Sequence, residues 1–102
     1  MKIEDTRTYK AIHGPHGAGV PDHIKDSIAR YVERGIRGGS CLDAIFSNNL
    51  FRAFGRADLE VRLSMYQIVG FSHNHVPSSC HGSEKAVESW VKLGGANKQQ
   101  AA

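Results

Sequence analysis

The stretch from Asp58 to Asn74, DLEVRLSMYQIVGFSHN, constrains the fold more than any other part of the chain. Val61, Met65 and Ile68 recur at steps of four and three with Val69 beside them, and Leu59, Leu63, Tyr66 and Phe71 widen the stripe. That pattern predicts a helix with neighbours on more than one side, around which the rest of the chain folds. Asp58 is placed to accept from the backbone N–H groups of the first turn, and Glu60 puts negative charge where the helix dipole favours it. At the other end His73 and Asn74 suit a last turn. Pro77 cannot continue a helix, and Val76 before it is pushed toward extended backbone.

The flanking segments read as shorter helices. Ile24, Ile28, Tyr31 and Val32 give one apolar face to a helix from about Pro21 or Asp22 to Arg34, and Gly35 follows as its left-handed end residue. Ser40 and Asp43 resemble a capping box for a short helix from Cys41 to about Phe46. Ser47-Asn48-Asn49 breaks that helix, because these side chains compete for local backbone groups, and Leu50 to Phe54 adds another turn or two ending at Gly55. Ser83 caps a last helix with Ala86, Val87, Trp90 and Val91 on one side, ended by Leu93-Gly94-Gly95. Residues 1–20 show no helical stripe, and His13-Gly-Pro-His-Gly-Ala-Gly19 punctuates them. They are expected to be a flexible arm or, from the weak alternation of Thr6 to Ile12, an edge strand. The expected fold is all-α: one irregular bundle of four to five helices over residues 21–94, with the arm before it and a disordered tail over 95–102.

Length and composition agree with this. At 102 residues the chain makes one domain, and a domain of this size buries roughly 60% of its unfolded surface. Hydrophobic content of 40% and charged content of 23% are those of a globular protein. No apolar run approaches the roughly 20 residues that span a bilayer. The polar start MKIEDTRTYK lacks the apolar centre of a secretory signal, so a cytoplasmic, non-membrane protein is expected. Cys41 and Cys80 lie far apart and are expected to be free thiols. A net charge of +3 is too mild to imply nucleic acid by itself.

Three chemistries have candidate residues. His73, His75, Cys80 and His81 offer the imidazole and thiolate ligands of a zinc or redox module, but in no familiar zinc spacing. Cys80 ahead of the last helix, near imidazoles, also has the ingredients of a Cys–His dyad, with no third orienting residue or oxyanion loop beside it. Arg34, Arg37, Arg52 and Arg56 form a basic grouping suited to phosphate, with Glu33, Asp43, Asp58 and Glu60 among them. Leu42, Phe46, Phe51 and Phe54 are the best anchors for an apolar contact with another protein. His13 and His16 flank Gly14-Pro15, and no phosphate loop follows.

Beyond these local readings, the chain resembles a group of short uncharacterised helical proteins encoded by bacteriophages, prophages and related mobile elements. The likeness rests on Arg30-Tyr-Val-Glu-Arg-Gly-Ile36, Ser47-Asn-Asn-Leu50, Ala53-Phe-Gly-Arg-Ala-Asp58, Ile68-Val69, Asn74, Pro77, Cys80, Gly82-Ser83, Val87 and Trp90. It runs from about Asp22 to Gly94 and leaves out both ends. The resemblance implies a phage or mobile-element origin and a helical fold, with no activity and no catalytic residues to carry over; the leading expectation is an accessory protein of the bacterial host cytoplasm that acts without catalysis or cofactor by binding a host or defence-system protein. A homodimer through the same apolar patch and a nucleic-acid or metal-binding role stand as alternatives.

Overall fold

The computed structural model describes residues 2–96. It is all-helical: among the described residues there are seven α-helices, three short 3-10 turns and no strand. The α-helices are α1 (Arg7–Ile12), α2 (Asp22–Arg34), α3 (Ser40–Phe46), α4 (Leu50–Arg56), α5 (Leu59–Leu63), α6 (Met65–His75) and α7 (Glu84–Leu93). The 3-10 turns are Ile3–Asp5, Pro15–Gly17 and Ser78–Cys80.

The core is built on aromatic side chains whose polar atoms are all used. The Trp90 indole N–H donates to the carbonyls of Tyr31 (3.0 Å) and Val32 (3.1 Å), which fastens α7 to the end of α2. The Tyr31 ring stacks on Phe46 with centroids 4.7 Å apart, and its hydroxyl donates to the Cys80 carbonyl at 2.6 Å. One column thus joins α2, α3, α7 and the turn before α7, with Ile12, Ile28, Leu42, Ile68 and Val87 buried in the same core. Indole and phenol stay buried at no polar cost only because backbone carbonyls meet their donors.

Several expected boundaries hold. Asp58 accepts from the Val61 N–H and Ser83 from the Ala86 N–H, starting α5 and α7, and Gly35 ends α2 in the left-handed region. Other expectations are corrected. The central helix is two helices: Ser64 ends α5 and begins α6, its N–H shared between the carbonyls of Glu60 and Val61. Of its stripe Val61, Met65, Ile68 and Phe71 are buried, whereas Leu59, Leu63, Tyr66 and Val69 face outward. The number of helices accordingly exceeds four to five.

Residues 2–20 are not a flexible arm or an edge strand. Thr6 caps α1 by accepting from the Tyr9 N–H, and Thr8 donates through both its N–H and its hydroxyl to Glu33 of α2. Ile12 and Val20 reach the core. No capping box forms at Ser40, because Asp43 is drawn instead to Arg37 (2.7 Å) and Arg52 (3.3 Å). Helix α4 also runs through Gly55 to Arg56. Of the expected tail, Gly95 is buried: a Cβ there would lie 2.5 Å from the amide nitrogens of Arg34 and Gly35, so the ends of α2 and α7 close on each other. Residues 97–102 lie outside the described residues.

A candidate partner-binding groove

The four apolar anchors expected from sequence divide into two pairs. Leu42 and Phe46 are core residues, Phe46 only 1% exposed, and contribute nothing to a surface patch. Phe51 and Phe54 do stand on the surface, Phe51 at 91% exposure. The reason is the geometry of α4, a seven-residue helix lying against α3. Ala53 is its buried contact, and the Cys41 thiol donates to the Ala53 carbonyl at 3.2 Å. At 100° per residue Phe51 falls on the side opposite Ala53, with Leu50 and Phe54 together on one side between them. Apart from Ile36 and Leu93, every large apolar side chain exposed among the described residues lies between Leu50 and Val69.

Beside this face three depressions meet at Asn48. The largest, an open hollow of about 610 Å³, is lined by the segment Ser47 to Arg52 and by Gly82, Ser83 and Glu84. A second of about 180 Å³ lies between Phe46, Val69, His73 and His81, and a third of about 110 Å³ between Ile45, Leu50, Met65 and Val69. Asn48 lines all three. Its φ of 62° puts it in the left-handed region, which asparagine tolerates better than most residues, and this kink turns α3 into α4. Asn49 then caps α4 by accepting from the Arg52 N–H. The far wall is held by the Gly82 N–H, which donates to the Phe46 carbonyl at 2.7 Å. Two polar atoms in this region, Ser47 Oγ and His81 Nε2, are buried with no hydrogen-bond partner among the described residues. Native folds keep few such atoms, and those they keep gather where strain or binding is tolerated.

Two of the four arginines are paired with carboxylates. Arg37 and Arg52 converge on Asp43, and Arg52 also lies 4.0 Å from Glu84. Arg52 and Arg56 stand four residues apart on α4, Arg34 closes α2, and Arg37 lies in the segment between α2 and α3.

Of the His and Cys residues, His73 and His81 line one depression together, whereas Cys80 and His75 do not line it. Cys80 is buried, its thiol donates to the Pro77 carbonyl, and burial pushes its pKa up to about 12. A thiolate nucleophile or zinc ligand needs the opposite shift. His75 instead packs against Phe71 and His16, with His16 4.3 Å away between ring centroids, and His81 lies toward Phe46. Among the described residues no three His, Cys, Asp or Glu side chains are placed to hold a metal ion.

Sequence reasoning missed Leu50, Val69 and Asn48 as site residues. The only local signal was the helix break at Ser47-Asn48-Asn49, since the hollow needs the approach of Gly82 to Glu84 from a distant part of the chain. It also missed Glu33 as a buried carboxylate. Compared with protein-family models, curated proteins and solved structures, the chain matches none.

Proposed function

We propose that this chain is a binding module that acts without catalysis, taking a segment of another protein along the groove at Asn48 and the adjoining face of α4. The observation that carries the reading is Phe51, almost wholly exposed on a short helix and bordering, with Leu50, an open hollow. A fully solvated phenylalanine gives the free fold little, whereas aromatic side chains beside concave surfaces are the usual anchors of protein contacts. Leu50 and Val69 supply apolar neighbours, and Arg52 and Glu84 supply charges of both signs at the rim.

The likeness to phage-encoded proteins includes Asn48 and Leu50 of this groove and Phe54 on the exposed side of α4, and it supports a host or defence-system protein as the partner and the bacterial cytoplasm as the place. No helix among the described residues is long and apolar enough to cross a membrane. The pairing of Arg37 and Arg52 with Asp43 lends nothing to a nucleic-acid role.

Photo-crosslinking tests the proposal. Benzoylphenylalanine is placed at position 51 and, as a control, at position 88, where Glu88 is exposed on α7. The expected result is a discrete adduct with one host protein from position 51 and none from position 88. An adduct only with a second copy of the chain would make the partner a homodimer subunit, and equal adducts from both positions would remove the site.

A further inference from the structure

A second concave site shares no lining residue with the groove at Asn48. It is a cleft of about 440 Å³ between the N-terminal segment, the end of α2 and the end of α6. Its buried lining includes Thr8, Val32, Glu33 and Val76, while Asp5, Arg7 and His75 are exposed at its mouth.

Glu33 is the unusual member. It is 6% exposed, yet no Lys, Arg or His nitrogen among the described residues lies within ion-pair distance of it. Its Oε2 accepts from the Thr8 N–H at 3.3 Å and from the Thr8 hydroxyl at 2.6 Å. A carboxylate withdrawn from water is ordinarily matched by a cation, and here the one that lines the cleft is held by Thr8 alone among the described residues.

We propose that this cleft binds a small organic cation, an alkylammonium or alkylguanidinium whose charged head pairs with Glu33. Val32 and Val76 form the apolar wall for a short alkyl stem, and Asp5 adds negative charge at the entrance. Arg7 at the same entrance disfavours a second positive charge on the ligand, which sets monocations apart from polyamines. The volume falls within the range of small-molecule sites.

The test is a chemical-shift titration of the full chain with n-butylguanidinium, with butyramide as the neutral control. A ligand of this size reaches only millimolar affinity, so the titration runs to about 20 mM. Saturable shifts at Thr8, Glu33 and Val76 with the cation and none with butyramide are expected. Glu33→Gln keeps an acceptor oxygen for Thr8 and removes the charge, and should weaken binding about tenfold or more. Asp5→Asn, at an exposed position, should weaken it by a smaller factor and serves if Glu33→Gln does not fold. Absence of saturable shifts, equal response to butyramide, or unchanged affinity in both variants would overturn the proposal and leave Glu33 as a tie between α1 and α2.

Discussion

Two sets of aromatic side chains in this molecule meet opposite fates. Trp90, Tyr31 and Phe46 form a buried column in which every donor reaches a backbone carbonyl. Phe51, Phe54 and Tyr66 stand in solvent, Tyr66 at 87% exposure. Neither apolar character nor helix length separates the two sets, since Phe46 is buried on the seven-residue α3 and Tyr66 is exposed on the eleven-residue α6; the side of its helix that each residue occupies does. Helix α3 buries Leu42, Ala44 and Phe46, whereas α4, of the same length, buries only Ala53 and leaves Leu50, Phe51 and Phe54 outside. The contrast teaches that the hydrophobic face of a very short helix can be surplus to folding and free for a partner.

Substitutions sharpen this contrast. Trp90→Ala removes the largest fully buried side chain and should destabilise the fold by about 3–5 kcal/mol in urea unfolding; a loss under about 1 kcal/mol would mean that the column is not the core. Tyr31→Phe keeps the ring and withdraws the donor from the Cys80 carbonyl, for an expected loss of about 1–3 kcal/mol by the same measurement.

The column also makes a pH prediction. The Cys80 thiol has its folded pKa raised from 9.0 to about 12 by burial. The stabilisation this gives is complete below the thiol's unfolded value, and it is lost as pH rises from there toward the folded value, because the unfolded chain ionises first. Stability should therefore fall above pH 9 with a slope on the order of 1 kcal/mol per pH unit, and Cys80→Ala should flatten it. Parallel slopes for the two proteins in unfolding between pH 8 and 10 would contradict the assignment. The smallest effect is expected on the other side of the comparison: Phe51→Ala should leave unfolding free energy within about 0.5 kcal/mol of the parent.

Much of the helical core was legible in the sequence because its signals are local. Asp58 and Ser83 act within one turn of their own helices, and Gly35 needs only its own backbone angle. Ser40 and Asp43 misled because Asp43 has two competing arginines, one of them from α4. The N-terminal segment was illegible for a different reason. Helix α1 is six residues long and holds its place through Thr8, Ile12 and Glu33, contacts that no periodicity announces. The candidate sites follow the same division. Leu42 and Phe46 cannot be told from Phe51 and Phe54 by residue type, and both the groove and the Glu33 cleft arise where distant segments meet.

The central claim is that the exposed face of α4 is a binding surface rather than spare core. Its most direct test is capture from a cell lysate by the parent chain and by the Leu50→Ala/Phe51→Ala double variant, with melting temperatures recorded for both. The account predicts matched melting temperatures and a protein that the parent retains and the variant loses. The same proteins captured by both, or a variant that no longer folds, would contradict it.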